Sequence, residues 1–348
     1  MKYINNRPLI RPFRAQFEYN NLHYELAGHV IEHISGQSYS DFLQTRLLEP
    51  LGMERTSFRT PSKNVEGVTV PYNALDNAST VPINFLWMGD NGYGAASGGA
   101  RSSVKDLVRL YRSFLEGFSE QLYQGSATSG HSTLKQLNHI MSGKIPFDQP
   151  SAHEASYAFG WGRVQLLGRL RQIGINPALL LNGMPLVGKG TSSLVLFHQG
   201  SLSGSLTFVA LLPDIEAIIV VLTNSLGLND AADWIGQLII EELVGVPSHL
   251  KNDFVHLAEA AVAKNLKCAY WDNLGIYKID VSLVDGRLYW LIQGLETERF
   301  QLDHYHEDTF TWLKPRNELA SRGRWVGSGQ DATFWKVKFE TDDSGEVN

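Results

Sequence analysis

The chain is poor in features that define several protein classes. It has a single cysteine, Cys268, among 348 residues, so it cannot form an internal disulfide. It has no run approaching the ~18 consecutive apolar residues that a membrane-spanning helix needs. Its 30 Lys and Arg against 36 Asp and Glu give a net charge of -6, which supplies no electrostatic basis for binding nucleic acid. These absences exclude a disulfide-stapled scaffold and argue against membrane and nucleic-acid partners.

The beginning of the chain also lacks a targeting pattern. Residues 1–10, MKYINNRPLI, contain no apolar core like that of a signal peptide. The near absence of cysteine favours a reducing compartment. The sequence therefore predicts a cytoplasmic protein, and it identifies no protein partner.

The chain does have enough apolar residues to form the cores of two domains. Hydrophobic residues make up 43% of it, and its length predicts two domains. The last helical pattern ends at Val244-Gly245-Val246-Pro247, so we place the domains at residues 1–247 and 252–348. Apolar periodicity predicts helices near 26–34, 40–48, 106–118 and 229–243, a three-stranded antiparallel meander over 193–224, and strands at 275–283, 286–293, 299–305 and 333–339.

Several motifs occur in a characteristic order. Tyr19-Asn20-Asn21 opens the first predicted helix, and Pro50-Leu51-Gly52-Met53 with Thr56 closes the second. His198-Gln199-Gly200 lies in the meander before a Gly/Ser turn. Between them lie Ala95-Ala96-Ser97-Gly98-Gly99, with Ser102 and Asp106 after it, and Tyr157-Ala158-Phe159-Gly160-Trp161-Gly162; Leu222-Thr223-Asn224 follows. Together this series resembles the serine β-lactamase and penicillin-binding protein family, especially its class C, esterase and transesterase branch.

The resemblance implies a fold and a set of site residues. The expected fold is α/β (α+β): an antiparallel sheet flanked by helices plus an all-helical region. Tyr19, Asn21, His198 and Gly200 are the implied catalytic residues, and a small molecule is the implied partner. Gln199, Ser201, Trp87 and Tyr93 are expected to contact substrate, the two aromatic residues from an irregular segment at 59–101. Neither a metal nor another cofactor is expected.

The C-terminal part carries a second resemblance. Leu302 to Trp312 and Arg322-Gly323-Arg324-Trp325 are similar to the lipocalin-like β-domain found after many fungal members of the family. It implies a β-barrel-like domain that packs on the first domain as a structural or substrate-gating unit. His304 and His306 alternate on a predicted strand, but no third ligand is evident, which favours packing over a metal site.

The nucleophile that the family requires is not evident. Its chemistry needs Ser-x-x-Lys, because residues at i and i+3 share one face of a helix. No serine precedes Tyr19, so we expect an N-terminally truncated member, with Val209, Leu211, Ile218 and Val220 left exposed. Ser102, Ser132 and Ser248 do begin Ser-x-x-Lys strings. A helix-capping or loop role is the stronger interpretation for them.

Three functions remain open at this stage. The first is a serine hydrolase or acyl transferase acting on an ester, amide or lactam, with a place in secondary metabolism as one option, and probes that acylate serine would reveal it. The second is a non-catalytic descendant that binds a ligand or partner, and the third is an inactive fragment. Taken alone, Tyr19 could be an aromatic residue at a helix start, Asn21 an N-cap, and His198 a packed strand histidine.

Overall fold

The structure is a computed structural model, and it describes residues 11–12, 14–61, 66–75, 77–86, 88–89, 94–130, 132–147, 153–267, 279–292, 298–324 and 332–339. Its helices are α1 (Asn21–Ser35), α2 (Tyr39–Leu43, continued by a π-helical turn Gln44–Leu48), α3 (Val104–Gln124), α4 (Leu137–Ile140), α5 (Asn176–Leu179), α6 (Ala231–Leu243), α7 (Phe254–Lys267) and α8 (Arg316–Ser321), with a 3-10 turn at Pro213–Ile215.

The strands form three sheets. The central sheet has the order β3 (Ile145–Pro146), β4 (Ala155–Tyr157), β5 (Gly162–Gln165), β6 (Leu194–Leu202), β7 (Ser205–Leu212) and β8 (Ala217–Thr223), and the order of a small sheet is β2 (Thr80–Pro82), β1 (Tyr72–Ala74) and β9 (Ser225–Leu226). A C-terminal sheet has the order β10 (Ile279–Val284), β11 (Arg287–Ile292), β12 (Arg299–His306), β13 (Thr309–Thr311) and β14 (Lys336–Lys338).

The central sheet is antiparallel and covered by helices on both faces. One face of β6 packs with residues of α6, including Ala232 and Ile240. Its other face packs with Leu115 and Phe118 of α3. Because side chains alternate along a strand, β6, β7 and β8 each contribute to two cores. The predicted meander of β6, β7 and β8 and the predicted α/β class are confirmed.

The ends of the helices show how local sequence sets the elements. The side chain of Asn20 accepts a hydrogen bond from the backbone N–H of Leu22 at 2.9 Å, and Gly36 ends α1 in the left-handed region at φ 67°. The interpretation of Asn21 as the N-cap was therefore wrong by one residue. Asp230, not Asn229, caps α6 for the same reason: its side chain accepts from a first-turn N–H.

Helix α7 lies inside the range predicted for the C-terminal domain, but it packs against the first one. Phe254 and Ala261 are buried with Leu179, Met184 and Trp234 of the preceding part. The proposed boundary at residues 247–252 remains a prediction.

The C-terminal sheet has its own aromatic core. Trp290, Phe300, Trp312 and Trp335 are buried together, with the Trp312 and Trp335 ring centroids 4.5 Å apart. Aromatic pairs of this kind add packing energy beyond area burial. The predicted β-rich C-terminal part is confirmed, whereas its likeness to a lipocalin barrel remains a prediction.

The expected exposure of the meander was wrong at Leu211. Its side chain is fully buried, and Val209 and Ile218 pack on the same cluster beneath α3. Helix α3 covers this face, so the sheet retains a core there.

Within the described residues, no helix combines the length and apolar character needed to cross a membrane. The same residues contain no group of three or more His, Cys, Asp or Glu side chains arranged to hold a metal. The ring of His304 instead contacts the backbone oxygen of Glu307 at 2.9 Å.

Candidate active site

Strand β6 runs past the end of its neighbour and opens one edge of the sheet. Strand β5 pairs with Leu194–Phe197 only, whereas β7 pairs with β6 as far as Leu202. Residues 198–202 therefore present an edge without a β5 partner. Beside this edge the ring of Tyr19 lies 6.0 Å from that of His198, measured between centroids. The structure thus brings together two of the four predicted catalytic residues.

Aromatic packing places Tyr19 beside the free edge of β6. The space between Tyr19 and residues 198–202 is called the cleft below. Two residues earlier, the Phe17 ring packs 5.0 Å from Phe147 and 4.8 Å from Tyr157. The hydroxyl groups of Tyr24 and Tyr157 are 2.7 Å apart, so one donates to the other. These contacts fix the chain on both sides of Tyr19, whose side chain stays 38% exposed. Asn21 lies one turn away from Tyr24 and is exposed.

Burial favours the uncharged form of both ring side chains. Desolvation lowers the pKa of His198 to about 4, against the smaller effect of a backbone hydrogen bond at Gln199. Desolvation also raises the pKa of Tyr19 above its ordinary value of 10, and the neighbouring Tyr24 adds to this. A neutral imidazole can donate from one ring nitrogen and accept at the other, and a neutral phenol can donate. The pair offers polarising hydrogen bonds rather than charge.

Gly200 shares the His198 face of β6 and has little room for a side chain. A Cβ atom at this position would lie 2.5 Å from the hydroxyl oxygen of Thr207, the residue directly opposite on β7. A glycine here leaves the backbone accessible from the cleft. The resemblance gave this reason for the glycine, and Thr207 adds a second one.

Gln199 and Ser201 lie on the other face of β6 by strand alternation. Gln199 is 2% exposed, and its amide donates to Asp233 at 3.1 Å. This placement turns Gln199 away from the cleft and into the junction with α6. Ser201 is half-buried on the same face as Gln199. The structure does not bring either side chain to the His198 side.

Beneath β6, amide groups surround the carboxylate of Asp233. Besides Gln199, Gln237 donates to it at 2.8 Å and Asn176 at 2.8 Å. All these side chains are buried. Burial raises the pKa of Asp233, and the three N–H donors oppose this rise by favouring its ionised form. Burial and the nearby Asp233 carboxylate raise the pKa of Asp230, so we assign the shared proton of the pair to Asp230.

The rim opposite β6 is a turn of small residues at 94–99. Glu25 of α1 accepts a hydrogen bond from the backbone N–H of Ser97 at 2.8 Å. A Cβ added to Gly28 would lie 2.7 Å from Ala96, so α1 packs tightly on this turn. A Cβ at Gly98 would be 3.7 Å from Leu202. The rim therefore connects α1 to the end of β6.

The predicted substrate contacts Trp87 and Tyr93 lie outside the described residues.

Two of the three serines that begin Ser-x-x-Lys strings contact other hydroxyl groups. The hydroxyl of Ser102 is 2.7 Å from that of Thr56, and that of Ser132 is 2.7 Å from that of Ser113. Ser248 is exposed in the turn after α6. These placements support the loop interpretation. The capping interpretation was wrong for Ser102, because the N-cap of α3 is Ser103, whose hydroxyl accepts from the backbone N–H of Asp106 at 3.3 Å.

A different serine contacts a lysine elsewhere on the surface. Lys144 donates to the hydroxyl of Ser142 at 2.5 Å, both side chains being exposed, and Ser142 in turn donates to the backbone oxygen of His139. The spacing is i, i+2, which differs from the helical pair that the family chemistry uses.

Sequence reasoning missed the residues that support the site. Tyr24 and Glu25 follow the motif on α1, Tyr157 belongs to a motif noted for its glycines, and Asp233 lies in the first turn of α6. An acidic residue in a first turn usually indicates only a favourable helix end. The signal that could have identified Asp233 is its position among apolar neighbours in the first turns of the helix, AADWI.

Comparison with known proteins agrees with this architecture. A family model described as Beta-lactamase matches residues 1–241. A second model, described as a domain of unknown function (DUF3471), matches residues 269–348. The octameric penicillin-binding protein homologue from Pyrococcus abyssi shares the fold, with a TM-score of 0.50 and 22% identity over 87% of this chain and 60% of that one.

Two curated relatives are similar at the level of sequence. "Unguisins hydrolase ungD'" of Aspergillus campestris (strain IBT 28561) is 21% identical over 67% of this chain and 37% of its own length. "Protein flp" of Staphylococcus aureus (strain N315) is 22% identical over 76% of this chain and 42% of its own length. The chain thus spans about two fifths of the length of these relatives. Since the first model covers more than half of the chain, the chain belongs to the β-lactamase family.

Proposed function

We propose that the cleft between Tyr19 and β6 binds an acyl compound, an ester, amide or lactam, for acyl transfer through a serine. The observation that carries this proposal is the strand edge at residues 198–202, which continues past β5 and lies beside Tyr19. An extended substrate can add to such an edge through main-chain hydrogen bonds.

Each cleft residue has a role that follows from its state. His198, neutral because burial lowers its pKa to about 4, donates a hydrogen bond to the substrate without adding a charge. Gly200 lets the substrate backbone approach the strand. Tyr19, protonated because its pKa is raised above the ordinary value of 10, donates its phenolic proton to the leaving group, while the lysine that the reaction also requires accepts the serine proton. The proposed chemistry uses neither a metal nor a cofactor.

The reaction also requires a serine and a lysine at the cleft. The described hydroxyls of Ser102 and Ser132 are held in other contacts, so neither is assigned as the nucleophile. A relative named as a hydrolase supports acyl transfer to water. Esterase and acyltransferase activity, transfer to an alcohol and a role in secondary metabolism are finer proposals within the same acyl-serine chemistry.

Binding to the isolated chain tests the acyl site without needing turnover. The probes are a chromogenic cephalosporin and a p-nitrophenyl ester, with binding measured by calorimetry and by NMR shifts at His198 and Gly200. We expect saturable binding that His198→Ala and Gly200→Val each weaken at least about tenfold. Ser142→Ala is the matched surface control and should leave the affinity unchanged. Absence of saturable binding, or equal binding by all variants, overturns the proposal.

A second candidate is a ligand-binding protein without catalysis. The hydrogen bonds that hold Ser102 and Ser132 away from a lysine partner favour it. Intact-mass spectrometry after treatment with a fluorophosphonate separates the two candidates. A stoichiometric adduct on a serine of the folded chain supports acyl transfer, whereas cephalosporin binding with no adduct supports the binding protein.

A further inference from the structure

The turn that joins β6 to β7 is pressed against the small sheet. Gly204 in this turn has φ +85°, a conformation that favours glycine. A Cβ there would lie 2.4 Å from Pro71 and 3.1 Å from Ile83. The turn follows Gly200 and Leu202 on β6, so its position affects the strand that borders the cleft.

One buried side chain holds this turn. Asn73 in β1 is 2% exposed, and its side-chain oxygen accepts from the backbone N–H of Gly204 at 2.9 Å. Its amide nitrogen donates to the backbone oxygen of Ala320 in α8 at 3.0 Å. A single amide therefore bridges the cleft turn and the C-terminal part of the chain across 247 residues of sequence.

Helix α8 makes other contacts with the same small sheet. Arg316 donates to the backbone oxygen of Ala74 at 3.1 Å. A Cβ on Gly323, just after α8, would lie 3.7 Å from Ile83, the residue that also borders Gly204. Strand β1 is itself held by its parallel pairing with β9. These contacts give α8 a continuous path of packed groups to the turn.

We propose that Asn73 is a positioning residue through which the C-terminal domain sets the geometry of the β6–β7 turn and so of the cleft strand. The physical reason is that Gly204 N–H and Ala320 C=O are both buried main-chain groups joined by one side chain: Gly204 donates to Asn73, and Ala320, which also accepts from the backbone N–H of Gly323, accepts from Asn73. A shift of α8 moves or breaks that shared link. The consequence for acyl binding rests on the proposed function, whereas the mechanical link does not.

The test uses the full chain and compares two arginines of one helix region. Arg316→Gln removes the bond to Ala74 without touching the turn. Arg322→Gln is the control, because Arg322 donates to Arg299 and Glu318 within the C-terminal part. Hydrogen exchange is followed at Gly204, and the pKa of His198 is measured by NMR. We expect Arg316→Gln to speed Gly204 exchange about threefold and Arg322→Gln to leave it unchanged.

Substitution of Asn73 tests the bridge itself. Asn73→Leu removes both hydrogen bonds and should speed Gly204 exchange about tenfold, with the His198 pKa rising toward 6.5 as water enters. Asn73→Asp retains the acceptor for Gly204 and lacks the donor for Ala320, so it should loosen α8 more than the turn. In the Asn73→Leu background, Arg316→Gln should add nothing further at Gly204.

Two results overturn the proposal. The first is Gly204 exchange that stays within twofold of the parent in Arg316→Gln while exchange in α8 rises. The second is an additive effect of Arg316→Gln in the Asn73→Leu background. If Asn73→Leu fails to fold, the two arginine variants still decide the question. Cephalosporin binding is measured separately, so a failed acyl site with an intact link is distinguishable from a failed link.

Discussion

The two faces of strand β6 differ in what holds their polar groups. On the cleft face, His198 and Tyr19 contact each other through rings only, and Tyr19 is 38% exposed. On the face toward α6, Gln199 is buried and donates to Asp233, which two other amides also contact. The two faces of β6 therefore differ: on one side His198 lies beside Tyr19, and on the other Gln199 joins the closed hydrogen-bonded network of the Asp233 carboxylate in α6.

The two faces of β6 differ in what they contribute to stability and to binding. A buried network with partners specifies a single arrangement and is costly to break. Polar groups at an open edge are free to exchange protein contacts for substrate contacts. We interpret the Asp233 network as the support that fixes β6 and the opposite face as the surface that binds.

The largest effect should come from neutralising Asp233. Asp233→Asn replaces an acceptor of three N–H groups with an amide that must turn a donor toward one of them. We expect the free energy of unfolding, measured with urea, to fall by about 3 kcal/mol. Asp230→Asn is the matched control and should cost less than about 1 kcal/mol, because Asp230 already carries the proton. Equal losses of stability in the two variants would contradict the assignment of the proton to Asp230.

The next prediction concerns the pH dependence of the free energy of unfolding, to which groups on the two faces of β6 should contribute with opposite sign. The folded pKa of His198 is lowered to about 4, so its contribution is present above pH 6.5 and is lost as pH falls toward 4. The loss is at most about 3 kcal/mol. Urea denaturation from pH 7.5 to 4 should show it.

Variants separate the two sources of pH dependence. His198→Gln should remove the loss of stability below pH 6.5. The raised pKa of Asp230 gives stability that is complete below about pH 4 and declines as pH rises, and Asp230→Asn should remove that decline. If His198→Gln leaves the loss of stability below pH 6.5 unchanged, burial of a neutral His198 does not cause that loss.

A smaller effect is expected from filling the space at Gly200. Gly200→Val forces a side chain into contact with the Thr207 hydroxyl and should lower the free energy of unfolding by about 1–2 kcal/mol. Thr207→Ala should recover part of this loss in the double variant, measured by the same urea assay. Recovery of stability without recovery of cephalosporin binding would show that substrate, as well as Thr207, needs the glycine.

The smallest effect should follow removal of one hydroxyl at the Tyr24–Tyr157 contact. Tyr24→Phe leaves Tyr157 without this hydrogen bond and should lower the free energy of unfolding by about 1 kcal/mol. Tyr157→Phe in the same background should cost little more, since neither hydroxyl then lacks a partner. A larger second loss would mean that Tyr157 supports the cleft through another contact.

Much of the fold could be predicted from pattern alone, because periodicity reflects local geometry. Alternating and continuous apolar runs located β6, β7 and β8, and the apolar spacing from Leu26 to Ile34 located α1. Helix boundaries were less accurate: the cap of α1 is Asn20 rather than Asn21, since adjacent asparagines have equal intrinsic preference for that position. Helix α8 was not predicted within a segment that is otherwise β-rich.

The site was predictable where a motif coincided with strand alternation. Tyr19 and His198 were found from their motifs, and the structure places them together. Gln199 and Ser201 were predicted to contact substrate together with His198 and Gly200, but neighbours on a strand point to opposite faces. The roles of all these residues in catalysis or binding remain predictions.

By itself, the sequence determined α1, α2, α3, α6 and the β6–β8 meander, the family motifs and the near balance of charge, because each of these depends on residues close in the chain. Only the tertiary structure decided that Asn73 joins Gly204 to Ala320, that Asp233 collects amides from three elements, and that Ser102 and Ser132 are held in packing contacts. These contacts form between residues that are distant in the chain, and local periodicity carries no information about which of them come together in the fold.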